Sequence, residues 1–314
     1  MPATVDPEEL TRRLRDPATA EQALAEYFVL VETAPFHYVY ELRPGAPIRS
    51  GPRPADGFLY EPLMDLANRV ARAARRRTYE ERKAAEPDAL RVVSEGDSWF
   101  QHPLLRDVID HLNDRFNVLS LGAAGDALVD MVEEGEYAGA LAEEKSKLLL
   151  FSGGGNDMLG DAFGTYLVRP APPSGSPAAA FVNDVFAARV AELHALYDRV
   201  ATRLEDALPD VVLLTHAYDV PVPRDRKQGG RWVGPKLAEA GIDPATDGRR
   251  VVRHMLEVFD AGLALRAASR TNLVHVSTLG SVADDEWDDE LHPNAGGFGS
   301  LAARFRAKID LILP

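Results

Sequence analysis

The sequence predicts an α/β fold over residues 89–314, built from repeated βαβ units around a parallel sheet. Two observations carry this prediction. From Leu90 onward, apolar runs of strand length alternate with stretches of helical periodicity. The first three runs then break into glycine-bearing turns: Gly96-Asp97-Ser98, Gly122-Ala123-Ala124-Gly125 and Gly153-Gly154-Gly155. The strands are expected from Leu90 to Ser94, Phe116 to Leu121, Lys147 to Ser152, Val211 to His216 and Asn272 to Ser277. Helices are expected from Leu104 to Asp114, Asp126 to Glu136, Phe181 to Leu208 and Val251 to Arg270, with Phe298 to Leu313 closing the chain. The connections Gly160 to Ala180 and Tyr218 to Arg249 are too long for plain turns and are candidates for lids or pocket walls.

Residues 1–88 read differently and form an accessory segment. Helical patterning covers Asp6 to Arg15 and Thr19 to Val31, with Thr19 placed as a cap. A proline-studded, aromatic stretch from Pro35 to Pro62 is expected to be turns and extended chain. A further helix is expected from Glu61 to Glu86, with Leu63, Leu66, Val70 and Ala74 on one face and Arg72, Arg75, Arg76 and Arg77 on solvated ones. Glu86-Pro87-Asp88 is the linker. The extension is thus mainly helical, and it is a candidate to pack on the main domain, cover part of its cleft or hold a protein partner.

Composition removes several function classes. A net charge of −14 repels a phosphate backbone, and the Arg75-Arg76-Arg77 run is too short to reverse it, so no nucleic-acid partner is expected. With no cysteine there is no disulfide framework, thiol chemistry or thiolate metal site. The start Met1-Pro2-Ala3-Thr4-Val5 lacks the basic and apolar regions of a signal peptide. No apolar run approaches the ~18 residues of a membrane span. A soluble cytoplasmic protein is the expectation.

The residues able to carry chemistry gather at one edge of the predicted sheet. Ser98 follows the first strand, at the carboxyl end where ligands collect in open α/β sheets. A serine hydroxyl is a poor nucleophile at neutral pH, so it needs a base, a group to orient that base, and donors for a developing oxyanion. After the second strand, the N–H groups of the Gly122–Asp126 turn can serve as anion donors, although such loops are also simple tight turns. After the third, no Gly-Lys-Ser/Thr follows the glycines, which excludes a phosphate-binding loop. Asn156 there offers a neutral N–H₂ donor, or caps the next helix.

The run Asp284 to Asn294 holds the remaining candidates. Asp289, three residues before His292, can accept from one ring nitrogen and leave the other free to take a proton from a serine. The run lacks the internal glycine turn of a calcium loop, and no metal site is assigned. His102, His216 and His275 are rival bases; His102 follows Ser98 too closely to fold back easily and His275 lies within a strand, so both are read as structural. Phe100 stands where a nucleophile elbow needs glycine, which excludes an α/β-hydrolase. Gly297-Phe298-Gly299 follows the acidic loop rather than a first strand, so it opens the last helix instead of binding a dinucleotide.

Taken as a set, Gly96-Asp97-Ser98, Gly125-Asp126, Gly153 to Asp157 and Asp289 to His292 resemble the four signature blocks of the SGNH hydrolases, the GDSL-type esterases and lipases. The resemblance covers about Leu90 to Pro314. It implies a three-layer α/β/α sandwich of flavodoxin-like type on a mostly parallel five-stranded sheet. It also implies a serine esterase or acylhydrolase, without a cofactor, cleaving a small or lipid-like ester or thioester through an acyl-enzyme. By the same resemblance Ser98 is the nucleophile, His292 the base and Asp289 its orienting partner. The oxyanion hole is the Ser98 N–H, the Gly125 N–H and the Asn156 side chain. Trp99 and Ala127 depart from the family's usual residues, which touches pocket shape; Trp99, Phe100 and Trp232 are candidate pocket residues. The other reading from sequence is an inactive hydrolase scaffold that binds or regulates through residues 1–88.

Overall fold

A computed structural model describes residues 9–10, 12–13, 16, 19–34, 37–43, 60–102 and 105–313. The chain divides into two compact units, Met1–Pro87 and Asp88–Pro314.

In the first unit, helix α1 (Ala20–Tyr27) runs directly into strand β1 (Phe28–Ala34), which pairs antiparallel with β2 (His37–Leu42); α2 (Tyr60–Ala85) follows. The hairpin corrects the helix expected through Val31. Phe28-Val29-Leu30-Val31 puts β-branched and aromatic residues where a strand accommodates them better than a helix, and register Phe28↔Leu42 to Val31↔Val39 satisfies their backbone groups. Thr19 stands at the N-cap of α1 but does not cap it; its hydroxyl instead donates to the Arg13 carbonyl at 2.9 Å. Of the helix expected from Asp6 to Arg15, Glu9, Leu10, Arg12 and Arg13 are helical and the others lie outside the described residues, as does most of the proline-studded stretch. On α2, Arg76 and Arg77 are exposed and Arg72 and Arg75 half-buried, while the side chains of Leu63, Leu66 and Val70 lie outside the description.

The second unit is built on five strands: β3 (Arg91–Gly96), β4 (Asn117–Ser120), β5 (Leu148–Ser152), β6 (Val212–His216) and β7 (Leu273–Val276). They pair in the order β4-β3-β5-β6-β7, all parallel, the order of flavodoxin-like doubly wound sheets. Each observed strand lies within two residues of its predicted ends. The reason is that Val93, Leu148 to Phe151, Leu213 and Leu214 are buried completely, and a strand covered on both faces reads as a continuous apolar run.

The helices of this unit are α3 (Val108–Leu112), α4 (Leu128–Glu134), α5 (Glu136–Glu144), α6 (Gly155–Leu159), α7 (Asp184–Ala207), α8 (Val233–Glu239), α9 (Arg249–Ser269) and α10 (Ala295–Ile312). Two groups flank the sheet: α3 packs on α10, and α7 packs on α4 and α9. Local chemistry sets the ends. Asp107 forms a capping box with Asp110 at the start of α3, Asn183 caps α7, and Asn294 accepts from the Gly296 and Gly297 N–H groups to start α10. Three short helices were not anticipated: α5, α6 and α8, each too brief for a periodic pattern to declare itself. Among the described residues, no helix is long and apolar enough to cross a membrane.

Strand β3 is the switch point of this sheet, because the chain leaves it toward β4 and returns on its other side as β5. The carboxyl ends of β3 and β5 meet there, with Gly96 opposite Ser152. The crevice of a doubly wound fold opens at that position.

Candidate active site

The turn after β3 is drawn tight by its own backbone. The Asp97 carbonyl accepts from the Phe100 and Gln101 N–H groups at 3.0 and 2.9 Å, and the Asp97 N–H donates to the Ser152 carbonyl at 3.2 Å. Ser98 is thereby held at the sheet edge, fully buried, with its Oγ 3.0 Å from His292 Nε2. On the other ring nitrogen, His292 Nδ1 lies 2.8 Å from Asp289 Oδ2. A carboxylate at Nδ1 fixes the proton there and leaves Nε2 to accept from Ser98.

The segment supplying Asp289 and His292 is a closed turn. Trp287 and Pro293 form an antiparallel bridge, and the Asp288 N–H donates to the His292 carbonyl at 2.9 Å. Inside it, Asp289 Oδ1 accepts the backbone N–H groups of Leu291 and His292, both at 2.7 Å. Burial works against ionisation of Asp289. The neighbouring His292 and these N–H donors outweigh it and hold the carboxyl below its ordinary range.

The turns after β4 and β5 are tied to each other. Gly125 takes φ +92°, a left-handed conformation that favours glycine. Asn156 Nδ2 donates to the carbonyl of Asp126 at 2.8 Å, which fixes the amide beside Gly125 and leaves it a second N–H. Asn156 is not a cap, because the N-cap of α6 is Gly154 and Asn156 lies inside the helix. Asp157 completes the link by accepting the Leu128 N–H at 3.2 Å while paired with Arg189. Among the described residues, the N–H groups of Ser98 and Gly125 donate to no backbone or side-chain acceptor. The glycine triplet is needed for both shape and room: Gly154 takes φ +103°, and a Cβ on Gly155 would stand 2.7 Å from the Tyr218 ring.

The structure also assembles groups that no local pattern announces. Glu290, next to Asp289 and buried, accepts four backbone N–H groups, from Arg224 at 2.9 Å, Arg231 at 2.6 Å, Trp232 at 2.8 Å and Gly234 at 2.8 Å. The connection 218–249 is therefore anchored to the histidine turn. The connection 160–180 is anchored too, through Ser174 Oγ and the Gly175 N–H on Asp247. Asp97, behind Ser98, accepts from the Tyr218 hydroxyl at 2.5 Å and the Trp99 N–H at 3.1 Å, and lies 3.2 Å from Ser152 Oγ. Ser152 in turn meets His216.

The rival histidines make other contacts. His216 is sealed in the core on Ser152 and Ala217, and burial pushes it down to about 3. His275 sits on Asp260 and Thr215. His102 does fold back, its ring edge-on to His292 with centroids 4.7 Å apart, while its Nδ1 accepts the Leu105 N–H. Of the candidate pocket residues, Phe100 is buried against His216 and Phe305, and Trp99 packs among His216, Tyr218, Trp287 and Phe298. Trp232 stands edge-on to His292 at 6.5 Å.

No family model and no curated protein sequence matches the chain. Solved structures similar to it include a lipase from a goat rumen metagenome, 13% identical over 69% of this chain and 96% of that one, with a TM-score of 0.47. A phospholipase A1 from Streptomyces albidoflavus NA297 is 18% identical over 70% of this chain and 99% of that one, TM-score 0.41. A psychrotrophic esterase from a Pseudoalteromonas species is 12% identical over 71% and 98%, TM-score 0.42. By its own sheet order, and by the turns that carry Ser98, Gly125, Asn156 and the Asp289–His292 pair, the chain resembles the SGNH, or GDSL-type, hydrolases in fold.

Proposed function

We propose that this chain is a serine esterase or acylhydrolase acting through an acyl-enzyme on Ser98. The observation that carries the reading is the continuous chain Ser98 Oγ, His292, Asp289, at 3.0 and 2.8 Å, on the same sheet edge as Gly125 and Asn156. In this reading Ser98 attacks the ester carbonyl and His292 takes its proton, while Asp289 stabilises the imidazolium that forms. The negative charge arising on the carbonyl oxygen is met by the Ser98 and Gly125 N–H groups and the second N–H of Asn156. His292 returns the proton to the leaving alcohol or thiol, and water repeats the cycle to release the acid. Trp232, held by Glu290, is a wall of the proposed acyl pocket, which suits a small or lipid-like acyl group.

The test is hydrolysis of p-nitrophenyl esters of increasing acyl length by the native protein and by Ser98→Ala side by side. The reading expects turnover in the native protein and a loss of several orders of magnitude in the variant. Equal rates in the two would remove Ser98 from the chemistry.

A further inference from the structure

Behind Ser98 runs a line of four buried contacts: Tyr218 hydroxyl to Asp97 Oδ2 (2.5 Å), Asp97 Oδ1 to Ser152 Oγ (3.2 Å), Ser152 Oγ to His216 Nε2 (2.8 Å), and His216 Nδ1 to the Ala217 carbonyl (2.8 Å). Each needs one proton to be attractive. With Asp97 ionised and His216 neutral, the line owns three: one on Tyr218, one on Ser152 and one on the imidazole. The order in which they can be placed is fixed from its far end. A carbonyl has no proton to give, so His216 Nδ1 carries the ring proton and Nε2 accepts. Ser152 must then donate to His216, and nothing is left for the contact between Ser152 and Asp97. At the near end, Tyr218 accepts from the Gly155 N–H and donates to Asp97, so it cannot supply the missing proton.

We propose that Asp97 is held as a neutral carboxylic acid that donates to Ser152, so that Asp289 is the one ionised carboxylate bearing on His292. The surroundings favour this state. Asp97 and His216 are both sealed from water, and the groups facing Asp97 are the Tyr218 hydroxyl, the Ser152 hydroxyl and the Trp99 N–H, with the His292 and Tyr197 rings beyond them. None of these is a fixed cation. His216 is enclosed by Trp99, Phe100, Tyr218 and Phe305, and His275 and Asp260 act on it with opposite signs. Placing the fourth proton on the imidazole would bury an ion pair across Ser152, which costs more than keeping both groups neutral. Burial outweighs the hydrogen bonds from Tyr218, Trp99 and Ser152 and pushes Asp97 up to about 6. With Ser152 turned to His216, the carboxyl moves further up, and the proton is retained at neutral pH.

Asp97 is then a positioning residue: it holds the turn through the Trp99 N–H and keeps a second negative charge away from the base. This consequence for the rate rests on the serine-hydrolase reading, whereas the buried proton does not. The direct test is infrared spectroscopy of the native protein at pH 7 with and without ¹³C at the aspartate carboxyls, assigned by Asp97→Asn. An isotope-sensitive carboxylic-acid band lost in the variant is the expected result; carboxylate bands alone would overturn the proposal. The second test is the pH dependence of kcat/KM in Asp97→Asn, with thermal unfolding to show that the variant folds. An amide is uncharged, as the protonated carboxyl is, so the acid limb should stay within about a few tenths of a pH unit of the native one. A limb moved down by roughly half a unit or more would show that a negative charge beside His292 was lost and that Asp97 is ionised in the native protein. If no ester is turned over, the infrared result still decides the proton, and the functional reading fails separately.

Discussion

Two aspartates flank the Ser98–His292 pair, and they differ in almost everything except residue type. Asp289 is half-buried on a turn of its own, with an imidazole and two N–H donors around it, and its carboxyl is held below the ordinary range. Asp97 is sealed behind the serine among hydroxyls and aromatic rings, and its carboxyl is pushed up to about 6. The first environment stabilises a charge beside His292; the second disfavours one. A carboxylate three residues from a histidine can be read as an orienting group because the turn between them is local. The state of Asp97 depends on Ser152, His216 and Tyr218, which lie 55, 119 and 121 positions away, and no local pattern reports them.

The sharpest way to break the contrast is Asp289→Asn. An amide at that position no longer fixes the tautomer of His292, and ester hydrolysis should fall by about 10⁴ in kcat. A loss below tenfold, measured by steady-state kinetics, would mean that Asp289 does not orient the base. Next in size is Asn156→Ala, which removes the side-chain donor tied to Asp126 and is expected to lower kcat by about 10²–10³ with little change in unfolding temperature.

The third prediction concerns stability and uses the sealed aspartate. Its folded-state pKa is raised above the ordinary 3.8 to about 6, and further once Ser152 donates to His216 instead, so its contribution is fully present below about pH 4 and is lost as pH rises through 6 and beyond. A shift of two units corresponds to roughly 3 kcal/mol. Denaturant unfolding of the native protein and of Asp97→Asn should therefore converge in this direction: the difference between them changes with pH over that window, and a constant difference would contradict the raised pKa. The smallest expected effect is Glu290→Gln. It replaces one acceptor oxygen of four N–H contacts with a donor and should cost about 1.5–3 kcal/mol, read in the same unfolding experiment. It should also alter acyl-length preference, because Trp232 is held through Glu290; unchanged stability would show that the 224–234 segment is held by other contacts.

Much of the second unit was legible because its signals are short-range. Each strand carries a short apolar run, the turns of Ser98, Gly125 and Gly153 follow the first three, and Asp289 and His292 sit three residues apart. What escaped was set at longer range or by competition. Residues 28–31 have the spacing of a helix continuing from α1, yet β-branched residues and pairing with 39–42 make them a strand. Thr19 has the residue type of a cap, but Arg13 O takes its hydroxyl. His102 follows Ser98 closely and still returns to stand against His292. The anchoring of 218–249 by Glu290 comes from a single carboxylate 56–66 positions from the N–H groups it accepts.

The central claim is that Ser98 is an activated nucleophile, and covalent labelling tests it without knowledge of the natural substrate. The native protein, Ser98→Ala and His292→Ala would be treated with a fluorophosphonate and the adduct located by mass spectrometry of the peptides. The account predicts one adduct, on Ser98, in the native protein, none in Ser98→Ala and labelling slowed by orders of magnitude in His292→Ala. An unlabelled native protein, or an adduct on another residue, would contradict it.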